Sequence, residues 1–348
     1  MEQELFQRLP AALLPWYQNH KRDLPWRRDT EPYHVWVSEI MLQQTRVEAV
    51  KGYYVRFLEV LPTIEALAKC DDDDLHKLWE GLGYYSRVRN LKKAAQVIMD
   101  RYNGIFPNDY MQILSLPGIG EYTAGAICSI CYDKPTPAVD GNVLRVIARL
   151  TGDDTPIDTP KYKTQVRDRL AAVYPQAAGD FTQAIMELGA TVCGPNRKPD
   201  CRLCPCVDFC EAFLTDRMED IPVKSRKKQR KEEDYTVFIL SCNGRYAIEK
   251  RPDGGLLAQL WQFPNVEGML DVTDALKLLE DMGLQPQQIH GIINRSHIFT
   301  HIEWKMQGIV CDVSNPGGSF IWKTAEEINC DIALPTAFRQ FWEVLGHV

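Results

Sequence analysis

Two carboxylates stand where their surroundings suit acid–base work. Glu39, in YHVWVSEIMLQQTRVEAV, lies among Val35, Val37, Ile40, Met41 and Leu42. Burial there would disfavour its charged form and raise its pKa, making a protonated acid available near neutral pH. An exposed glutamate on an amphipathic helix is the plainer alternative. Asp140, in PAVDGNVLRVIARL, directly precedes an apolar-periodic helix, where a carboxylate accepts free helix N–H groups. A capping role is compatible with chemistry, because a helix end holds such a carboxylate ionised and able to stabilise a developing cation.

Four more reactive side chains crowd together later: Cys193, Cys201, Cys204 and Cys210 form C-x7-C-x2-C-x5-C, with Cys206 close by. In a long chain without a secretion signal such thiols stay reduced and point to a metal. The single run suits a [4Fe–4S] cluster better than zinc, whose structural sites usually come as two separated knuckles. Between the carboxylates, LSLPGIGEYTAGAI places Pro117, Gly118 and Gly120 in a bend between a helix ending near Ser115 and one opening near Glu121. Such a bend can aim backbone N–H groups at a phosphate, or be an ordinary interhelical turn.

These groups need a scaffold. The first 220 residues show 3.6-residue apolar spacing, as in Val143, Leu144, Val146, Ile147 and Leu150, and read as an all-α region over 1–221. Polar, basic IPVKSRKKQRKEEDY supplies a linker over 222–234. From 235 to 348, TVFILSC, RYAIEK, WQFP and WKMQGIVCDV read as strands, with DALKLLEDMG and TAFRQFWEVLGHV as helices, giving a smaller α+β domain. Asp71–Asp74 reads as a helix cap rather than a cation site. The 348 residues carry a net charge of -7. That acidity offers no support for a nucleic-acid partner, but it is uneven: Lys+Arg against Asp+Glu is 32 to 31 in residues 1–231 and 8 to 16 beyond. Neither a signal peptide nor an apolar run of membrane-spanning length is present, so a soluble intracellular protein is expected.

In this order the motifs resemble the MutY family of adenine DNA glycosylases, in the helix-hairpin-helix, iron–sulfur superfamily that also contains endonuclease III. LPGIG resembles that superfamily's hairpin, with Gly118 and Gly120 at the DNA phosphate. VSEIMLQQT and VDGN resemble the segments carrying the family's catalytic glutamate and aspartate, here Glu39 and Asp140. The resemblance implies excision of adenine mispaired with 8-oxoguanine or guanine in double-stranded DNA. Adenine leaves poorly unless a ring nitrogen is protonated, and the remaining sugar is oxocarbenium-like. Glu39 is thus expected to protonate N7 of the extruded base and then activate water, with Asp140 stabilising the cation or bonding to it transiently. Tyr122 stands where strand-cutting relatives carry a Schiff-base lysine, which implies a monofunctional enzyme.

RDLPWR gives Arg22, Leu24, Trp26 and Arg27 to the adenine pocket by the same resemblance, with Tyr122, Asn142 and Gln183 supporting the reacting groups. Gln44 and Tyr84 would wedge the duplex, with Thr45 and Leu82 near the damaged guanine. The cluster would be structural, shaping a loop with Arg197, Lys198 and Arg202 toward phosphate, although the family usually shows six residues where this chain has seven between Cys193 and Cys201. RPDGGLLAQLWQFPNVEG resembles the family's Nudix-like C-terminal domain. The carboxylates of an active Nudix box are missing from MLDVTDALKLLEDM, so recognition is expected rather than hydrolysis. SHIFTHIEW offers Phe299, Thr300 and His301 to 8-oxoguanine, threonine replacing the family's usual serine. A monomeric, cytoplasmic, nucleoid-associated protein is implied. Two rivals remain at this point, a catalytically silent iron–sulfur DNA-binding module and a Nudix nucleotide hydrolase.

Overall fold

A computed structural model describes residues 2–195, 198–225 and 229–346. The chain divides into two compact units, one comprising Met1–Lys69 with Arg89–Lys227, the other Cys70–Val88 with Lys228–Val348. In chain order the helices preceding the sheet are α1 (Glu2–His20), α2 (Pro32–Leu42), α3 (Val47–Val60), α4 (Ile64–Lys69), α5 (Asp72–Leu78), α6 (Ser86–Tyr102), α7 (Tyr110–Leu114), α8 (Glu121–Tyr132), α9 (Gly141–Thr151), α10 (Pro160–Ala171), α11 (Ala178–Thr191) and α12 (Glu211–Leu214).

The first unit is built on α9 and α11. Val143, Val146, Ile147 and Leu150 of α9 meet Phe181, Ala184, Ile185 and Leu188 of α11 in one core, which also takes Leu9, Leu13 and Tyr17 from α1. Both sets follow the helical period, and each fully buried aliphatic side chain contributes about 1.5–3 kcal/mol. α2 is different: from Val35 to Met41 every side chain is buried, so this stretch has no wet face and carries Glu39 inside. The hairpin follows the expected boundaries, with α7 ending at Leu114 and α8 opening at Glu121. Gly118 has φ 75°, and a Cβ there would lie 2.5 Å from Asn90 Cβ, so the turn admits only glycine.

In the second unit the sheet comprises β1 (Lys231–Cys242), β2 (Arg245–Lys250), β3 (Trp261–Gln262), β4 (Asn265–Glu267), β5 (Pro286–Ile298), β6 (Ile302–Val313) and β7 (Ile321–Thr324). The order is β3-β2-β1-β6-β5, with β4 on β1 and β7 on β2. β1 and β6 run parallel, in register from Lys231↔Ile302 to Ser241↔Asp312. The central run Val237–Leu240 is buried on both faces, which explains its unbroken apolarity. Val237 and Ile239 face the layer containing α15 (Thr336–Val344) and α14 (Ala325–Asp331), whereas Phe238 and Leu240 face α13 (Val272–Asp281). One expectation needs correction: the linker's last residues, Lys231–Asp234, are already strand, because β6 supplies a parallel partner for them. Among the described residues no helix is long and apolar enough to cross a membrane.

Candidate active site

A cavity of about 640 Å³ opens in the first unit between α2, α8, α9 and α11. Glu39 and Asp140 both line it. Glu39 is 7% exposed, as α2's all-round burial requires, which removes the exposed-glutamate alternative. The Tyr122 hydroxyl donates to Glu39 Oε2. Burial pushes the Glu39 carboxyl up to about 7, nearby Asp140 adding to the rise while the Tyr122 bond and Arg27 oppose it. Burial and the adjacent carboxylates hold the Tyr122 phenol well above its ordinary value, so it remains a donor.

Asp140 caps α9 through Oδ1, which accepts from Val143 N at 2.8 Å, and Oδ2 accepts from Asn142 Nδ2 at 2.7 Å. The cap is as expected, but the net electrostatic direction is not. Burial raises the Asp140 pKa despite the opposing bonds from Val143 and Asn142, so the helix end does not outweigh desolvation. Asn142 is fixed in turn by Arg145 Nη2, 2.8 Å from its Oδ1. The same guanidinium reaches the Cys193 carbonyl through Nε at 2.8 Å. Gly189 lets α11 approach, since a Cβ there would lie 2.6 Å from Asn142 Cβ.

Arg22, Leu24, Trp26, Arg27, Gln44, Thr45, Tyr122, Asn142 and Gln183 all line the same cavity. Sequence reasoning missed Glu187. Its fully buried carboxylate accepts from Arg22 Nε at 2.6 Å and Nη2 at 2.9 Å, and from Arg27 Nη2 at 2.7 Å. These bonds outweigh the desolvation penalty and hold Glu187 below its ordinary value. The signal available was its place four residues after Gln183, on the same face of an otherwise apolar helix.

The other expected contacts fall elsewhere. Gly118 and Gly120 do not line the cavity; they form the hairpin, whose second helix, α8, has no side-chain cap at Gly120. Leu82, Tyr84, Phe299, Thr300 and His301 belong to the second unit. There the Tyr84 hydroxyl lies 3.4 Å from Thr300 Oγ1, Thr300 and His301 are exposed, and Leu82 is 6% exposed. Phe299 packs edge-on against Trp304, with centroids 4.9 Å apart.

Cys193, Cys201, Cys204 and Cys210 line one apolar cavity with Val146, Leu188 and Met218. Cys206 is fully buried but does not line it. Arg149 Nη1 lies 3.1 Å from Cys193 Sγ, a donor suited to a thiolate. Among the described residues no three His, Cys, Asp or Glu side chains are gathered closely enough to hold a metal ion as they stand. Four thiols on one apolar cavity are the donor set that an iron–sulfur cluster would take. Lys198 and Arg202 are exposed beside this loop, and Arg197 lies outside the described residues.

Residues 37–172 match the family model described as HhH-GPD superfamily base excision DNA repair protein, and residues 235–344 match the NUDIX domain. The chain is similar to the adenine DNA glycosylase of Mus musculus, 34% identical over 408 residues, covering 96% of this chain and 77% of the relative. It is also similar to that of Buchnera aphidicola, 32% identical with 93% of each chain covered. The chain belongs to the MutY family of adenine DNA glycosylases. It is thereby an enzyme of the DNA N-glycosylase class. The adenine DNA glycosylase of Arabidopsis thaliana is 36% identical over 90% of this chain, which spans only 58% of that longer relative. Among solved structures, a thermostable thymine-DNA glycosylase aligns with TM-score 0.55 and 28% identity, covering 62% of this chain and 97% of its own. A trapped endonuclease III–DNA intermediate aligns with TM-score 0.52 at 23% identity over the same share, a likeness of fold alone.

Proposed function

We propose that this member of the family removes adenine opposite 8-oxoguanine or guanine in duplex DNA, leaving the strand intact. The observation that carries the reading is the pairing, in one cavity, of a carboxyl raised to about 7 with a second carboxylate at a helix start. Burial raises both carboxyls, but Asp140 accepts two N–H bonds where Glu39 accepts one hydroxyl, which suits Asp140 to the counter-charge and Glu39 to the acid.

Glu39, protonated, gives its proton to N7 of the extruded adenine as the C1′–N9 bond breaks. The bonding electrons leave with the base. Asp140, held by Val143 N and Asn142, faces the oxocarbenium-like sugar. Glu39, now a carboxylate, takes a proton from water as the water oxygen bonds to C1′, which restores the acid. Tyr122 keeps Glu39 in place and offers no amine, which supports base release without strand cutting. Arg22 and Arg27, oriented by the buried Glu187 carboxylate, line the cavity that would take the base. The NUDIX match and the exposed Thr300 and His301 support recognition of the opposing base by the second unit.

Cys193, Cys201, Cys204 and Cys210 would hold a [4Fe–4S] cluster, which supplies cross-linking of the loop rather than a reaction step. The test is to incubate the protein with duplexes carrying adenine opposite 8-oxoguanine, guanine or thymine, with and without alkali. Strand breaks only after alkali, and only opposite the two guanines, are expected. Breaks without alkali would sink the monofunctional reading, and cutting opposite thymine would sink the mispair requirement.

A further inference from the structure

Residues 70–88 sit within the sequence of the helical region, yet their contacts assign them to the unit that carries the NUDIX-like sheet. Asp73, Lys77 and Glu80 are among the side chains that make that attachment. Glu80 Oε1 accepts from Arg339 Nη2 at 2.6 Å and from Leu334 N at 3.0 Å, while Oε2 lies 2.9 Å from Lys77 Nζ. Lys77 Nζ donates to the carbonyls of Asn329 and Ile332 at 2.7 and 3.0 Å. Asp73 Oδ1 accepts from Lys250 Nζ at 2.7 Å and Trp261 Nε1 at 3.2 Å. The Glu80 carboxylate is 15% exposed, and Lys77 and Arg339 are 24% and 28% exposed, so this is a shielded network rather than a loose surface pair.

What the network holds is the turn after Glu80. Gly81, Gly83 and Tyr84 all take positive φ, at 96°, 68° and 47°. The turn is fastened by Trp79 Nε1 to the Gly83 carbonyl at 3.1 Å, and by Arg87 Nη2 to the carbonyls of Leu82 and Gly83 at 3.0 and 3.1 Å. A non-glycine residue with positive φ persists only where its surroundings over-determine it. Tyr84, so held, reaches Thr300 on the β5–β6 turn of the same unit.

We propose that Glu80 and Arg339 are positioning residues for recognition of the base opposite adenine: they lock the Leu82–Tyr84 turn to the sheet that presents Thr300, so both recognition elements move as one body. Glu39 and Asp140 belong to the other unit. Loosening the lock therefore changes which mispair is preferred rather than how fast adenine leaves once engaged. The inference rests on the functional reading above for its meaning in DNA, while the lock itself is a property of the free protein.

The test uses full-length Arg339→Met and Glu80→Gln, with Arg339→Lys as the conservative variant that keeps a cation beside Glu80. Single-turnover excision opposite 8-oxoguanine and opposite guanine gives a preference ratio. That ratio is expected to fall about fivefold or more in the first two variants, with the rate opposite guanine changed less than about twofold, and to recover in Arg339→Lys. Amide exchange of residues 81–87 should quicken in the same two variants. A uniform loss at both mispairs, or an unchanged ratio, overturns the proposal by reducing the lock to a stability element. Wild-type protein that excises adenine opposite neither guanine would instead refute the functional reading, and unchanged amide exchange would refute the lock independently.

Discussion

Arg27 Nη2 lies 2.7 Å from Glu187 Oε2, and the other oxygen of that carboxylate holds Arg22 Nε at 2.6 Å. One buried anion thus orients two cations on the wall of the cavity. Glu187→Gln leaves both guanidiniums without their counter-charge, Arg27 being only 14% exposed, and should cost about 3 kcal/mol of stability. Because the folded pKa of Glu187 is depressed, its contribution is present above the ordinary value of 4.5 and lost as pH falls through the folded value. Thermal melts of the two proteins should therefore differ at pH 7 and converge in acid; parallel curves down to the acid limit would contradict the assignment.

Glu39 works in the opposite direction. Its folded pKa is raised from 4.5 to about 7, so stability is fully present below 4.5 and is lost as pH rises through about 7. Glu39→Gln removes that loss and should be more stable than wild type at pH 8 by about 3 kcal/mol, at 1.36 kcal/mol per pKa unit. The same substitution should abolish adenine release while DNA is still bound. In wild type the single-turnover rate should decline above about pH 7, where the acid form disappears. Since the Tyr122 bond lowers the Glu39 pKa, Tyr122→Phe should shift that decline to higher pH. A shift to lower pH would show that Tyr122 does not favour the carboxylate.

Both carboxylates were legible because each sat in a local pattern: Glu39 in an apolar run, Asp140 at a helix start. The sign of the Asp140 shift was not legible, because the cap is local whereas its burial comes from distant segments. Glu187 and Arg22 are 165 residues apart, and no pattern in QAIMELGA announces the partner. Likewise Leu82 and Tyr84 were singled out by resemblance, but the attachment of the preceding Glu80 to Leu334 and Arg339, across 254 and 259 residues, was not legible. In the sheet, RYAIEK and VFIL read clearly as strands. β5 was harder, since PQQIHGIINRSHI is a half-exposed edge strand with glycine and polar residues throughout.

Gly189 and Asn142 set a second constraint on the site. A Cβ at 189 would lie 2.6 Å from Asn142 Cβ and 3.2 Å from its Cα, so backbone as well as side chain must move. Gly189→Ala should cost about 1–3 kcal/mol and pull Asn142 away from Asp140 Oδ2. Gly52→Ala, on the exposed side of α3, is the control: nothing lies within 4 Å of the added atom. The expected result is a slower single-turnover rate in Gly189→Ala with near-normal rate and melting temperature in Gly52→Ala. Equal behaviour of the two variants would mean that close packing of α11 on α9 is not what aligns Asp140.

The cysteine loop offers five thiols for four proposed ligand positions. Cys193, Cys201, Cys204 and Cys210 share one cavity, whereas fully buried Cys206 stays outside its lining, which favours Cys210 over Cys206 as the proposed fourth ligand. Cys206→Ser should retain the visible absorption and iron content of a [4Fe–4S] protein, while Cys210→Ser should lose both. Arg149 adds a graded case, because its guanidinium reaches both Cys193 Sγ at 3.1 Å and the Ile221 carbonyl at 2.7 Å. Arg149→Met should leave these acceptors unpaired, lower stability by about 1–3 kcal/mol and make the cluster easier to bleach with a chelator. Loss of iron in Cys206→Ser with retention in Cys210→Ser would reassign the fourth ligand to Cys206.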